Sequence, residues 1–228
     1  MPPGARKIAA VVAAWLIVTA ARLLTGLRAV WTDAAPTAEQ TLYFANHTSH
    51  GDFVLLWATL PPDLRALTRP VAGQDYWEAS PLRRFIGEDV FNALMIRRDG
   101  SGGSGGTPAG PANPVEQMTE ALRSGDSLIM FPEGTRNIGD EVLLPLKSGL
   151  FHIASACPQV RLVPAWIENL KRVLPKGTLV PIPWPARCAT ARRWCWPRAR
   201  TRPASWHVPA PRCSTCGPTT TRWRADPS

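Results

Sequence analysis

Two short clusters of polar residues contain the side chains in this sequence that are best suited to chemistry. The first occupies residues 46–52 and includes His47 and Asp52, with four residues between them. Across a strand-to-helix turn, a carboxylate at this spacing can fix the tautomer of the imidazole and stabilise the imidazolium that forms when the ring accepts a proton. No serine or cysteine nucleophile is required if the acceptor substrate brings its own hydroxyl. The pair therefore predicts general-base catalysis, with His47 and Asp52 as the catalytic residues.

The same cluster has two other interpretations. Ser49 and Asp52 match a capping box, in which Asp52 would only cap the helix that follows. His47, His50 and Asp52 could ligate a metal ion, but the rest of the sequence offers no second group of ligands to complete such a site, and we predict no metal. The spacing of His47 and Asp52 alone does not decide between these interpretations.

The second cluster reads Phe-Pro-Glu-Gly-Thr-Arg over residues 131–136 and follows an apolar segment. Arg136 carries a planar fork of donors that suits a phosphate. Gly134 permits a close approach of the backbone, and Glu133 can bind a hydroxyl or position Arg136. The alternative interpretation is an ordinary turn with a Glu133–Arg136 ion pair.

The elements that position these clusters follow from the apolar pattern. Strands are predicted at residues 41–45, 89–97, 127–131 and 161–167, and helices at residues 52–60, 114–124 and 149–157. The alternation predicts one α/β domain over residues 33–183 with a largely buried sheet. Residues 100–113 contain six glycines and two prolines, which predicts a flexible surface loop.

The N-terminal segment, residues 1–32, is predicted to associate with a membrane. Its apolar run over residues 8–21 follows Arg6 and Lys7 and is shorter than the ~20 residues that span a bilayer. We therefore predict a helix that lies in the membrane interface. A tilted span, a buried core helix and a signal peptide remain alternatives.

The C-terminal tail, residues 184–228, carries most of the net charge of +9. It contains nine arginines and a single acidic residue, so the remaining residues are close to neutral. This distribution argues against a nucleic-acid partner for the body of the protein. The tail contains no Leu, Ile, Met or Phe, and we predict an irregular segment. Its Cys213–Cys216 pair lacks the second paired spacing of a zinc site.

A shifted reading frame is an alternative explanation for the composition of the tail. The codons of residues 188–197 can encode a strand and a turn in another frame, and those that begin at residue 205 can encode an amphipathic helix.

Together, the two clusters resemble those of the glycerophospholipid acyltransferases, in particular the 1-acyl-glycerol-3-phosphate acyltransferases. That family carries an Asn-His-x4-Asp block followed by a Phe-Pro-Glu-Gly-Thr-Arg block, and both occur here in that order. Between them, residues 91–98 are similar to a family strand that ends in a phosphate-binding arginine, here Arg97 or else Arg98. Lys147 matches the lysine of a later lysine-glycine segment, and residues 163–165 match a Val-Pro strand. The resemblance extends over residues 20–183.

The resemblance implies an α/β domain with a mixed sheet flanked by helices, like that of glycerol-3-phosphate acyltransferase, and an N-terminal membrane motif. It implies acyl transfer from acyl-CoA or acyl-carrier protein to lysophosphatidic acid or a related lysophospholipid, with no cofactor. His47 would be the base that Asp52 orients. The implied substrate-binding residues are Arg97, Arg98, Glu133, Gly134, Thr135, Arg136 and Lys147.

The implied location is the cytoplasmic face of a bacterial inner membrane, where the acceptor, the donor and the membrane surface would be the partners. The competing hypothesis is a membrane lipid-binding protein without catalysis, damaged at its C-terminus. The intact His47–Asp52 pair favours the enzyme, because a protein that only binds lipid has no need of it.

Overall fold

A computed structural model describes residues 2–31, 35–96, 113–168, 187–190, 206–207 and 222–223. Its helices are α1 (Pro3–Thr25), α2 (Asp52–Thr59), α3 (Pro62–Leu67), α4 (Gln74–Trp77), α5 (Pro81–Phe85), a π-helical turn (Ile86–Val90), α6 (Pro114–Arg123) and α7 (Gly149–Ala156). Its strands are β1 (Arg28–Trp31), β2 (Thr41–Ala45), β3 (Thr68–Gly73), β4 (Leu94–Ile96), β5 (Ser127–Met130), β6 (Arg161–Glu168), β7 (Arg187–Thr190), β8 (Trp206–His207) and β9 (Arg222–Trp223).

Seven of these strands form one mixed sheet in the order β1-β7-β6-β2-β5-β3-β4. All neighbouring pairs are parallel except β6 and β7, which are antiparallel. The predicted α/β domain with a mixed, largely buried sheet is therefore confirmed. The central strand β2 lies between β5 and β6, so its carboxyl end is close to theirs.

Helices cover both faces of the central strand. Leu42 and Phe44 pack in a cluster with α6 and α7, whereas Tyr43 and Ala45 pack in a second cluster that includes α2 and residues of α1. All five residues of β2 are buried, as expected for a parallel strand that is covered on both sides. This packing fixes the position of the turn that follows Ala45.

The predicted strand at residues 89–97 is wrong over its first half. The chain forms the π-helical turn Ile86–Val90 and becomes a strand only at Leu94–Ile96. Asn92 has φ 48°, a left-handed conformation that interrupts an extended strand. A short apolar run does not distinguish a buried strand from a buried helical turn, because both place apolar side chains in the core.

The prediction that the tail lacks ordered elements is wrong at residues 187–190. Strand β7 lies between β1 and β6, with Cys188 buried, and β8 pairs with β9 as a separate two-stranded ribbon. Burial raises the pKa of the Cys188 thiol to about 12, so this group remains a neutral core side chain. The sequence did not predict this strand because it has no apolar pattern of its own and is stabilised by pairing with β1 and β6.

The shifted reading frame of the tail remains a hypothesis. The Cys213–Cys216 pair lies outside the described residues.

Helix α1 is long and apolar enough to cross a membrane. One side packs on the domain through small or short side chains such as Ala10 and Val18. Two arginines attach the helix further: Arg6 Nη2 lies 2.7 Å from Asp89 Oδ2, and Arg22 Nη2 donates to the carbonyl of Ala58 at 3.0 Å. The other side exposes a set of large apolar residues, Ile8, Val11, Val12, Trp15, Leu16, Leu23 and Leu24.

The loop predicted at residues 100–113 lies outside the described residues except for its last residue. There Asn113 precedes α6, and its side-chain Oδ1 accepts a hydrogen bond from the backbone N–H of Val115 at 3.0 Å. This cap fixes the start of α6 at Pro114, where that helix was predicted to begin.

Candidate active site

The turn between β2 and α2 brings His47 and Asp52 into direct contact. Strand β2 ends at Ala45 and α2 begins at Asp52, so both side chains lie at the carboxyl end of the central strand. The Nδ1 atom of His47 lies 2.9 Å from Oδ2 of Asp52. The imidazole also stacks on Phe131, with 4.3 Å between the ring centroids. Both χ angles of the histidine are thereby restrained by one polar and one aromatic contact.

Asp52 is fully buried and is held by the loop that precedes it. Its Oδ2 atom accepts hydrogen bonds from the backbone N–H groups of Thr48 and Ser49 as well as contacting His47. The predicted capping box does not form, because α2 begins at Asp52 with Gly51 as its N-cap and the hydroxyl of Ser49 accepts the N–H of Gly51. A carboxylate that accepts this many donors is fixed in its orientation and fixes the imidazole in turn.

The second ring nitrogen of His47, Nε2, has no hydrogen-bond partner among the residues that the structure describes. With Nδ1 donating to Asp52, Nε2 is the nitrogen that can accept a proton. The arrangement can therefore deprotonate a hydroxyl that approaches Nε2.

The cluster at residues 131–136 continues into a loop up to residue 147, which we call the glutamate loop. Glu133, only 2% exposed, accepts the backbone N–H of His47 on Oε1 at 2.6 Å and that of Leu144 on Oε2 at 3.0 Å. The backbone N–H of Asn137 donates to the carbonyl of His47 at 2.7 Å. The glutamate loop thus holds both backbone polar groups of His47.

These contacts give Glu133 a different environment from that expected of a substrate-binding residue. Both of its carboxylate oxygens bind backbone donors of the protein, and no ion pair joins it to Arg136 in the described part of the chain. Burial raises the pKa of Glu133, while the hydrogen bonds from His47 and Leu144 oppose that shift. The geometry makes Glu133 a residue that positions His47.

Asn137 ends the second polar cluster, and the sequence assigns it no role in the site. It is 1% exposed, and its Nδ2 donates to the carbonyl of Glu141 at 2.7 Å, which braces the glutamate loop. The only available signal was its position directly after Arg136 in a polar loop.

Gly134 has a backbone conformation that favours glycine, and a side chain there would also displace Lys147. Its φ of 69° is left-handed, and a Cβ there would lie 2.8 Å from Cε of Lys147. Lys147 is fixed by its backbone N–H, which donates to the carbonyl of Pro132 at 2.8 Å. Thr135, Arg136 and Lys147 are exposed, so their side chains can meet a ligand.

Two sequence-predicted residues, Arg97 and Arg98, lie outside the described residues. No group of three or more His, Cys, Asp or Glu side chains that could hold a metal ion occurs within the described ranges. His50, which we considered as a ligand, instead stacks on Tyr76 with 5.1 Å between the ring centroids.

Comparisons with known proteins agree with this architecture. A family model described as Acyltransferase matches residues 28–168. The fold is similar to the crystal structure of the 1-acyl-sn-glycerophosphate (LPA) acyltransferase PlsC from Thermotoga maritima, with a TM-score of 0.57 and 19% sequence identity. That match covers 85% of this chain and 73% of the other. No curated protein matches this chain significantly.

Proposed function

The chain belongs to the Acyltransferase family, and we propose that it transfers a fatty acyl group to the free hydroxyl of lysophosphatidic acid or a related lysophospholipid. With lysophosphatidic acid the product is phosphatidic acid, and the donor is a thioester of CoA or of acyl-carrier protein. The observation that carries the proposal is the contact between His47 and the buried Asp52 at the carboxyl end of β2. No cofactor enters the reaction.

In the proposed reaction, Nε2 of His47 accepts the proton of the acceptor hydroxyl as its oxygen attacks the thioester carbonyl. The new carbon–oxygen bond forms, the carbon–sulfur bond breaks, and the thiolate that leaves takes the proton back from the imidazolium. Asp52 keeps the proton of Nδ1 in place throughout and stabilises the positive ring. The acyl group passes directly from donor to acceptor, so no acyl-enzyme is needed.

The first test is transfer of labelled acyl groups from acyl-CoA and from acyl-carrier protein to lysophosphatidic acid, with His47→Ala as the inactive reference. We expect transfer by the wild-type chain with at least one donor and none by the variant. A chain that binds lysophosphatidic acid vesicles but transfers nothing from either donor to any lysophospholipid would establish the non-catalytic alternative.

Arg136 is proposed to bind the phosphate of the acceptor, together with Thr135, Lys147 and the backbone of Gly134. The guanidinium is exposed and has no carboxylate partner in the described part of the chain, so its donors are available to an anion. We propose the same phosphate role for Arg97, and for Arg98 as its alternative, on the resemblance alone.

Arg136→Ala is expected to raise the apparent KM for lysophosphatidic acid by about 10-fold or more, because a charge-assisted hydrogen bond contributes about 1.5–3 kcal/mol. The turnover number should change little, since the lost interaction exists in the ground state as well as the transition state. Initial rates measured against acceptor concentration at saturating donor provide the check. Arg136→Lys keeps the positive charge but loses the planar pair of donors, so its acceptor KM should lie between those of the wild type and Arg136→Ala. An unchanged acceptor KM would remove this residue from the phosphate site.

We propose that α1 attaches the enzyme to the cytoplasmic face of a bacterial inner membrane. The support is its exposed apolar face, in which Val11 is 70% and Trp15 64% exposed. A helix with one side packed on a domain and the other apolar and exposed is suited to the membrane interface.

A double substitution on this face, Trp15→Glu with Leu16→Glu, is expected to release the protein from lipid vesicles, since each buried side chain of this kind contributes about 1.5–3 kcal/mol. Flotation with vesicles measures the bound fraction. Leu67→Glu is the control for a new acidic side chain at an exposed apolar position outside α1, because Leu67 is 56% exposed and belongs to α3. Retention of the double variant on vesicles would contradict the role of α1.

A further inference from the structure

A row of three side chains extends from the histidine turn to the protein surface, and we call it the basic stack. It consists of His50, Tyr76 on α4 and Arg83 on α5. The rings of His50 and Tyr76 are 5.1 Å apart at their centroids and nearly parallel, at 16°. Cζ of Arg83 lies 4.6 Å from the centroid of Tyr76. His50 belongs to the same turn as His47, so the basic stack extends from that turn to an exposed guanidinium.

Arg84, the next residue on α5, forms ion pairs within the protein and serves as a comparison for Arg83. Arg84 Nε lies 3.0 Å from Oε1 of Glu88, and its Nη2 lies 3.6 Å from Oε1 of Glu78. Arg83 has no such ion pair within the described ranges, although it is adjacent in sequence. The tyrosine ring supports one face of the exposed Arg83 guanidinium, and the N–H donors at its edge point to solvent or to a ligand and not to a carboxylate of the described ranges.

Arg83 and Arg136 influence the same histidine from two different elements. Desolvation lowers the pKa of His50, and the positive charges of Arg136, His47 and Arg83 lower it further against the opposing effect of Asp52. Neither arginine has a carboxylate partner in the part of the chain described here. Two uncompensated guanidinium groups beside a catalytic turn create a positive potential that attracts an anion.

We propose that Arg83, supported by Tyr76, binds a phosphate group of a substrate at the rim of the active site. The inference rests on the proposed function, because both proposed substrates carry phosphates. The group is the phosphate of the lysophospholipid acceptor or a phosphate of the CoA or phosphopantetheine part of the donor. A guanidinium whose plane is held by an aromatic ring can offer two parallel N–H donors to phosphate oxygens with little further loss of side-chain entropy.

The test compares Arg83→Ala with Arg84→Ala, which removes an adjacent arginine that is already paired. We expect Arg83→Ala to raise the apparent KM of one substrate by about 10-fold while kcat stays within about twofold. Arg84→Ala should change neither KM. Tyr76→Leu should raise the same KM by a smaller factor, since it removes the support but not the charge. Equal KM values for Arg83→Ala and the wild type would overturn the proposal, as would equal effects of the two alanine variants.

Substrates that lack a phosphate show whether Arg83 binds the phosphate of the acceptor or that of the donor. If the acceptor KM rises, the effect should vanish when 1-acylglycerol replaces lysophosphatidic acid. If the donor KM rises, it should vanish when an acyl-N-acetylcysteamine thioester replaces acyl-CoA. An effect that persists with both phosphate-free substrates would overturn the assignment.

Binding measurements separate this proposal from the proposed function. The dissociation constant for CoA, and that for vesicles containing lysophosphatidic acid, can be measured without turnover. If the wild-type chain transfers no acyl group, weaker binding of either probe by Arg83→Ala alone would support the phosphate site while the enzymatic proposal fails. Identical binding of both probes by the wild type and Arg83→Ala would overturn the phosphate site.

Discussion

Asp52→Asn is expected to lower the turnover number by about 10²–10⁴-fold, which is the range of a general base. The carboxylate of Asp52 accepts the N–H groups of Thr48 and Ser49 and contacts Nδ1 of His47 through one oxygen. An asparagine with its oxygen in the place of Oδ2 keeps these three contacts but lacks the negative charge that stabilises the imidazolium. One with its NH2 in that place meets two backbone donors and makes Nδ1 of His47 an acceptor, which moves the ring proton to Nε2, where it prevents acceptance of the hydroxyl proton.

The measurement is kcat with lysophosphatidic acid and the better of the two donors. Thermal unfolding of the variant provides the control, because Asp52 is fully buried and also holds the loop. Combining Asp52→Asn with His47→Ala should lower the rate no further than His47→Ala alone, since the two residues act as one unit. A turnover number within 10-fold of the wild type would remove Asp52 from the mechanism.

Glu133→Gln is expected to lower the turnover number by about 10–100-fold and to leave the acceptor KM nearly unchanged. The wild-type side chain accepts two backbone donors, on Oε1 from His47 and on Oε2 from Leu144. Glutamine has the same shape, but its NH2 group must face one of these donors, and an unsatisfied buried donor costs about 1–3 kcal/mol. The backbone of His47 then shifts relative to the substrate, and small displacements of a base reduce the rate strongly.

The separation of KM from kcat distinguishes this role from substrate binding. A glutamate that binds the acceptor would raise its KM on substitution, whereas a residue that positions His47 lowers kcat. Glu39→Gln, on an exposed residue before β2, provides the matched control for the same change of charge. A normal kcat with a raised acceptor KM would return Glu133 to the substrate-binding residues.

The sequence predicts the contacts of the site that are local along the chain. His47 and Asp52 lie five positions apart on one turn, and their contact follows once β2 and α2 are recognised from the apolar pattern. The contact between Glu133 and the backbone of His47 spans 86 positions. Such a contact depends on the pairing of β2 with β5, and a backbone donor leaves no trace in the sequence.

The two incorrect predictions of secondary structure also arise from contacts between residues that are far apart in the sequence. Strand β7 contains little apolar surface of its own and is a strand because β1 and β6 pair with it on its two edges. The apolar residues before β4 predict an extended strand, but the left-handed backbone of Asn92 interrupts the strand there. In both regions the backbone conformation is determined by tertiary contacts and not by local sequence preference.

The place of β7 in the sheet has a consequence for how the chain is made. Strand β1 lies near the start of the sequence, and its partner β7 is about 160 residues later, so a ribosome adding about 5–20 residues per second separates them by roughly 8–30 s. Throughout that interval β1 has no partner strand, while the apolar helix that precedes it has already emerged. The proposed attachment of α1 to a bilayer can therefore precede completion of the sheet, and β7, the last strand of the seven-stranded sheet to be translated, then joins β1 to β6.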